Sequence, residues 1–268
     1  MAKPNFSQTN TRVHWGHKVV VYGIVTIMLV PIVATLLYSF SSQWGATILP
    51  EGFTLKWYAN LITDQRFLMA FGRSLLICTM ALLLSVVVVL PMIFVVFYYF
   101  PKLDKVMNVL ILLPFAVPPV VSSVGLLQIY ADSVVPLVGT PWILIGTYFT
   151  IALPFMYRAI ANNFAAIHLR DLMDAAHLLG ASTPRAFWLV IVPNLKKGLL
   201  ASLFLSFSFL LGEFVFANIL VGTRFETLQI YLYNMRQVSG HFTSALVMTY
   251  FLFVFVMTWL ATRLGAKQ

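Results

Sequence analysis

Charge is what this chain has least of. Only 9% of its 268 residues are Asp, Glu, Lys or Arg, whereas soluble domains carry about a quarter. Hydrophobic residues make up 60% of the chain, and the mean hydropathy is +0.91. This composition excludes a soluble globular or disordered protein. We expect an integral membrane protein, in which each crossing takes about 20 apolar residues.

Cysteine and the common catalytic motifs are also scarce. The single cysteine, Cys78, cannot form an intramolecular disulfide. The sequence has no G-x-x-x-x-G-K-[ST] phosphate loop, no nucleophile elbow and no H-E-x-x-H pair, and the spacing of its five histidines indicates no metal site. We therefore expect no catalytic residue, no metal ligand and no cofactor in this chain. The net charge of +9 indicates membrane orientation rather than nucleic-acid binding.

Long hydrophobic runs are what the chain has instead. Each run is long enough to cross a bilayer, and helices are the only open-chain structure that lipid allows. The first is too long for a signal-peptide core, so we expect it to be retained. The pattern predicts an all-α integral membrane protein with six transmembrane helices, at about 19–40, 74–97, 106–130, 141–157, 198–220 and 242–262.

The distribution of positive charge predicts the orientation. With the N-terminus inside, 12 of the 17 Lys and Arg residues fall on cytoplasmic segments, as Lys and Arg usually do in membrane proteins. Both termini and the segment 158–197 are then cytoplasmic.

The third run contains the proline cluster "LPFAVPPVVSS". Prolines inside transmembrane helices are often ordinary kinks, because neighbouring helices satisfy the freed carbonyl groups. A cluster this dense indicates a deformed or broken helix, of the kind found along transport pathways.

One block between the fourth and fifth runs is polar: "DLMDAAHLLGASTPRAFWLVIVPNL", residues 171–195. Its first half contains good helix formers and ends at Gly180, where a left-handed cap is expected. Ser182 or Thr183 can then cap a second helix that has Pro184 in its first turn. The block predicts a helix, a tight turn and a helix. Such a hairpin must rest on its own bundle or on a partner protein.

The spacing within this block resembles the EAA signature of ABC importer permeases, which reads Glu-Ala-Ala, three residues, Gly, nine residues and Ile-x-Leu-Pro. Here Asp174-Ala175-Ala176, Gly180 and Val190-Ile191-Val192-Pro193 stand at the matching positions. Asp replaces Glu, and Val replaces Ile and Leu. The resemblance implies a type I (MetI-like) importer permease. It also implies that 158–197 is a coupling loop in which Asp174, Ala175, Ala176 and Gly180 contact the ATPase.

The same resemblance implies the partners. They are a dimer of ATP-binding subunits that holds the ATP and Mg²⁺, a second permease and an extracytoplasmic substrate-binding protein, in a bacterial inner membrane. This chain would then not be an enzyme. The segments "SFS" and "TLKWY" after the first run are similar to polyamine permeases, so spermidine or putrescine is the expected substrate. The alternatives are 2-aminoethylphosphonate, ferric iron or another small ion.

Glu213 is the one acid deep inside a predicted span, in "FLLGEFVFANIL". An ionised side chain at the bilayer centre costs about 2.5–3.5 kcal/mol on insertion scales and usually faces a bundle interior or a water-filled path. Glu213 and Asn218 are therefore candidate residues of the translocation path. Two alternatives remain for Glu213, namely a structural contact with a partner subunit and an ion relay in a gradient-driven carrier. A scaffold without transport activity is a third possibility for the chain.

Overall fold

The structure, a computed structural model, describes residues 15–47 and 49–266. This part of the chain is almost entirely helical, with one isolated antiparallel bridge between Ser41 and Phe53. The helices are α1 (Trp15–Phe40), α2 (Lys56–Thr63), α3 (Gln65–Tyr99), α4 (Asp104–Leu110), α5 (Leu113–Ala116), α6 (Pro119–Ala131), α7 (Pro141–Ala166), α8 (Leu169–Leu178), α9 (Thr183–Ala186), α10 (Val192–Leu211), α11 (Val215–Leu220), α12 (Leu228–Met235) and α13 (Gly240–Ala266). Short 3₁₀ turns occupy Pro101–Leu103 and Gly222–Phe225, and a π-helical turn occupies Phe187–Ile191.

Four of these helices, α1, α3, α7 and α13, are long and apolar enough to cross a membrane. Two bent pairs pass the same test, Pro101–Ala116 with α6 at 87° and Thr183–Lys196 with Gly198–Leu211 at 64°. The described residues thus contain up to six spans if each bent pair counts as one. The all-α, multi-span prediction is confirmed. The two termini, which we expect in the cytoplasm, lie outside the described residues.

The third span is broken at its proline cluster, as its sequence predicts. Val117 has an extended backbone (φ −99°, ψ 128°), because a following proline disfavours the helical conformation. Pro119 then begins α6 at a position where a missing N–H costs nothing. The 87° bend therefore follows directly from the sequence of the cluster.

The fifth predicted span is divided at Glu213, the acid that interrupts its apolar sequence. The run 198–220 is not one helix, because α10 ends at Leu211 and α11 begins at Val215. The carboxylate of Glu213 accepts the first N–H groups of α11, which favours a new helix start over continuation of α10.

The helix that contains the fourth predicted span is longer than that span. The helix does not end at 157 but continues to Ala166. The segment "RAIANNFAA" contains no proline or glycine to end a helix, so the non-helical part of the loop 158–197 begins only at Ile167.

The core lies where α3, α7 and α10 pack together, and Tyr157, Phe164 and Met173 are among its largest fully buried side chains. By contrast, the most apolar stretch of α1 is not buried against the chain, which suits a lipid or partner contact. The Tyr157 hydroxyl donates to Oδ1 of Asp104 (2.8 Å), which also accepts from Nδ2 of Asn108 (3.0 Å). This bond fixes the start of α4 to α7.

Tyr157→Phe should lower the free energy of unfolding by about 1.5 kcal/mol, because it removes a hydrogen bond to a charged acceptor. In a thermal melt of the purified protein, the midpoint should fall by a few degrees. Tyr99→Phe is the matched control, since Tyr99 is about half exposed. Equal midpoints for the two variants would contradict a structural role for the Tyr157–Asp104 bond.

Candidate functional site

The polar block forms a helical hairpin, which we call the coupling hairpin (residues 169–186). Its first helix, α8, has one apolar stripe. Leu169, Met173 and Ala176 are spaced four and three residues apart, and all three are buried against the bundle. This is the 3.6-residue period of a helix with one packed face. The opposite face of α8 is left free of the bundle.

The tip of the coupling hairpin is built by a left-handed glycine. Gly180 has φ +81°, and the N–H of Ala181 donates to the carbonyl of Ala176 at 3.0 Å. This is the C-terminal cap that the sequence predicts at Gly180. Leu178 and Leu179 lie directly before this cap and point away from the helix bundle, with 89% and 90% of their surface exposed.

The structure separates the four residues that the EAA resemblance assigns to the ATPase contact. Asp174, Ala175 and Gly180 are exposed, as a contact requires. Ala176 is only 6% exposed and packs into the core, so it supports the hairpin from below, and its contact with the ATPase stays a prediction. The 3.6-residue period places it on the same stripe as Met173.

Leu178 and Leu179 are contact candidates that the sequence pattern did not identify. The available signal was an apolar pair directly before the capping glycine, outside the buried stripe that Leu169, Met173 and Ala176 define.

The base of the coupling hairpin is firmly anchored. Phe187 is 5% exposed, and its ring lies 4.7 Å from that of Phe94 on α3. The π-helical turn Phe187–Ile191 then leads without interruption into α10. Isolated π-turns inside helices often occur at functional sites. A helical path that bends by 64° between Lys196 and Gly198 therefore connects the hairpin to the break at Gly212–Phe214.

A cavity of about 900 Å³ lies beside this break. It is bounded by α6, α7 and the junction between α10 and α11. Most lining residues are apolar, and none of the described lining residues is basic. Its aromatic lining residues are Phe115, Tyr130, Trp142, Phe209, Phe214 and Phe216.

Glu213 lines this cavity, as expected for a path residue, and it also has a structural task. Its carboxylate accepts the backbone N–H groups of Phe216 (2.8 Å) and Ala217 (3.2 Å) at the start of α11. The Tyr148 hydroxyl donates to the backbone carbonyl of Glu213 (3.4 Å). Asn218 is exposed and does not line this cavity, so its place in the translocation path stays a prediction. Asn218 is five positions after Glu213, which lies in the break before α11, while Asn218 lies inside that helix.

A second polar group, the α3 polar cluster, gathers at the N-terminal end of α3. It comprises Asp64, Arg66, Glu226, Tyr231 and Asn234. Arg66 forms a two-pronged ion pair with Glu226, with both N–O distances 2.7 Å. No sequence pattern indicates this pair, because its members are 160 residues apart.

Asp64 in this cluster caps α3 and accepts the Tyr231 hydroxyl at 2.7 Å. Burial raises the pKa of Asp64. Hydrogen bonds from Tyr231 and from the backbone N–H groups of Phe67 and Arg66 outweigh that effect and leave the pKa below its usual value. The ionised form is thus favoured in the folded state. Its stabilising contribution is full above the unfolded pKa of about 3.9 and is lost as the pH falls through the lowered folded pKa.

The described residues contain no group of three or more His, Cys, Asp or Glu side chains that could hold a metal ion.

Known proteins share this architecture. A solved bacterial ABC transporter involved in the import of the acidic polysaccharide alginate has a chain with a TM-score of 0.73 and 16% identity, covering 97% of this chain and 99% of that one. A structure of the bacterial alginate ABC transporter with its pentasaccharide-bound periplasmic protein gives a TM-score of 0.68 at 12% identity, covering 94% and 96%. These likenesses show the fold.

Sequence relatives are transport permeases. The putative 2-aminoethylphosphonate transport system permease protein PhnV of Salmonella typhimurium is 26% identical over 248 residues, covering 91% of this chain and 92% of PhnV. The spermidine/putrescine transport system permease protein PotC of Escherichia coli is 25% identical over 222 residues, covering 81% of each chain.

Residues 88–268 match the family described as the binding-protein-dependent transport system inner membrane component. The match confirms the MetI-like prediction made from the EAA spacing and sets aside the gradient-driven carrier and the scaffold. The chain therefore belongs to the family of binding-protein-dependent transport system inner membrane components, and it is a multi-pass membrane permease of an ABC importer.

Proposed function

We propose that this chain supplies half of the translocation path of an importer in a bacterial inner membrane. It also supplies one of the segments that couple this path to the ATP-binding subunits. A dimer of ATP-binding subunits, which holds the ATP and Mg²⁺, docks on the coupling hairpin from the cytoplasm, where both termini also lie. A second permease completes the path. An extracytoplasmic substrate-binding protein delivers a small solute, and this chain itself catalyses no reaction.

The coupling hairpin carries this proposal. Leu178 and Leu179 stand about nine-tenths exposed at its tip, although each leucine side chain gains roughly 1.5–3 kcal/mol when it is fully buried. A rigid turn that holds two leucines away from its own core suits insertion into an apolar groove of a partner. The exposed Asp174 beside them adds a polar rim, as is common around the apolar centre of protein interfaces.

The hairpin is also built to transmit motion. Its buried stripe and the Phe187–Phe94 contact fix its base to the bundle. We therefore expect a displacement of the tip to reach the cavity wall through α10 and its bend between Lys196 and Gly198, because packed elements shift as units rather than deform continuously.

The cavity favours a small organic cation, and a polyamine such as spermidine or putrescine is the substrate class we propose. Glu213 supplies a carboxylate, and aromatic faces attract cations within about 6 Å of the ring centre. Six of the lining residues are aromatic and none of the described ones is basic. The relative PotC, named for spermidine and putrescine transport, supports this choice.

The alternative substrate is 2-aminoethylphosphonate, for which the relative PhnV is named. A phosphonate group is usually recognised by Arg or Lys side chains or by free backbone N–H groups. The cavity lining offers no such side chain among the described residues. Ferric iron or another small ion is a third possibility, in which Glu213 would be the one carboxylate among the lining residues.

Replacing both tip leucines, Leu178→Asp with Leu179→Asp, should remove the docking contact. We expect co-purification of the co-expressed ATP-binding subunit in mild detergent to fall at least about tenfold, since hot-spot residues contribute 2 kcal/mol or more. The leucines suit this test better than Gly180, where φ is +81° and any side chain would strain the turn itself.

Leu55→Asp is the matched control. Leu55 is 66% exposed and precedes α2, far from the coupling hairpin in sequence. It should leave co-purification unchanged. Undiminished ATPase capture by a folded double variant would contradict docking at the tip.

Glu213→Gln should separate the charge of this side chain from its capping role. Glutamine keeps a carbonyl oxygen that can accept the N–H groups of α11, so stability should change by less than about 1 kcal/mol. Uptake of radiolabelled spermidine by cells that express the complete transporter should fall about tenfold or more, because the cationic solute loses its counter-charge.

Glu213→Ala is the comparison variant, and it should lower both uptake and thermal stability. Uptake of 2-aminoethylphosphonate by the wild type in place of spermidine would contradict the cation proposal while leaving the permease role intact.

A further inference from the structure

The cavity wall is attached to a distant part of the chain. Residues 212–235, which we call the wall segment, run from the break after α10 through α11 to the end of α12. Its first residues, 212–216, line the cavity. Its last part packs against the beginning of α3, where Leu228 and Tyr231 join a small core with Ala70 and Phe67.

The wall segment contains two joints that lie outside its α-helices. The first is the break at Gly212–Phe214. The second follows α11, where Gly222 has φ +50°, a conformation that glycine adopts more readily than other residues. Between them α11 forms one short block. Such joints absorb backbone rotation when packed elements move.

Several polar contacts hold the far end of the wall segment on α3. Arg66 donates from Nε to Oε2 and from Nη2 to Oε1 of Glu226, at 2.7 Å each. The N–H of Leu228 donates to Oγ of Ser74 at 2.8 Å, and Tyr231 donates to Asp64, the N-cap of α3, at 2.7 Å. Within the wall segment itself, Asn234 donates to the same Oε1 of Glu226 at 2.9 Å.

The Arg66–Glu226 pair differs from an ordinary surface ion pair. The Glu226 side chain is 8% exposed, while that of Arg66 is 49% exposed. Two parallel N–H···O bonds fix the relative orientation of the two groups as well as their distance. Removing one partner leaves the carboxylate buried without its counter-charge, which is strongly unfavourable. The pair therefore holds α3 and the second joint of the wall segment together while remaining accessible from one side.

We infer that Arg66 and Glu226 are positioning residues for transport: their ion pair fixes the wall segment on α3 and so holds the cavity wall in place. Separation of the pair frees the second joint and lets α11 move with α10. This role rests on the proposed function only in treating the cavity as the solute path.

Cysteine labelling tests the inference within this chain. In a Cys78→Ala background, single cysteines replace two buried alanines, Ala70 on α3 (1% exposed) and Ala217 on α11 (0% exposed). Ala70→Cys reports opening of the wall segment from α3, and Ala217→Cys reports movement of the cavity wall. The full transporter in isolated membranes is treated with a fluorescent maleimide, and the labelling rate is measured.

Arg66→Gln and Glu226→Gln should each raise the labelling rate at both cysteines by about tenfold, because local opening controls access to a buried group. The exchanged pair, Arg66→Glu with Glu226→Arg, should return both rates to within about twofold of the starting value by restoring the attraction. Lys56→Gln removes a nearby positive charge that lies over Trp57 and should change neither rate.

Two results would overturn the inference. Unchanged rates at both cysteines would show that the pair holds nothing in place. A faster rate at Ala70→Cys alone would show that the pair anchors α12 without positioning the cavity wall. If a glutamine variant fails to accumulate, Arg66→Lys replaces it. Lysine keeps the positive charge but loses the two-pronged bond, so its labelling rate should lie between the starting value and the tenfold increase expected for glutamine. The readout depends on neither ATPase docking nor uptake, so either proposal can fail without the other.

Discussion

The constraint behind this structure is that backbone polar groups within a membrane must find partners inside the protein. A span can break only where such partners exist. At the break after α10, the Glu213 carboxylate accepts hydrogen bonds from the N–H groups of Phe216 and Ala217. The Tyr148 hydroxyl donates a hydrogen bond to the backbone carbonyl of Glu213. In the third span, Pro118 and Pro119 have no N–H to satisfy. The two breaks lie beside the same cavity, so the chemistry that permits a broken helix also makes room for a solute.

The coupling hairpin and the cavity wall are joined by one stretch of chain, and this connection is the route by which we expect motion to pass between them. The buried stripe of α8 and the contact of Phe187 with Phe94 fix the hairpin to the bundle. The π-helical turn and α10 carry the chain from there to Gly212. At that point an added Cβ would lie 3.0 Å from the Tyr250 hydroxyl, so the glycine allows α13 to approach closely. A motion that enters at the hairpin thus arrives at the cavity wall, which its neighbours hold in place.

Local rules accounted for the features that sequence reasoning predicted correctly. The length of the apolar runs predicted the helical class. The proline cluster predicted the broken third span, and the preference of glycine for left-handed helix caps predicted the turn at Gly180. Tertiary structure decided the features that the sequence pattern did not show. Ala176 faces inward because the bundle covers that stripe of α8. The split at Glu213 depends on side-chain capping within an apolar run, which hydropathy does not detect. The Arg66–Glu226 pair joins residues that are distant in sequence, and only the fold brings them together.

The central claim is that the tip of the coupling hairpin meets the ATP-binding subunit. A photoreactive amino acid placed at Leu179 of the assembled transporter tests it most directly, with the same substitution at Leu55 as the control. Irradiation followed by mass spectrometry should show cross-links from position 179 to the ATP-binding subunit and none to that subunit from position 55. Cross-links from position 179 only to this chain or to lipid would contradict the account, because the exposed leucines would then not contact the ATP-binding subunit.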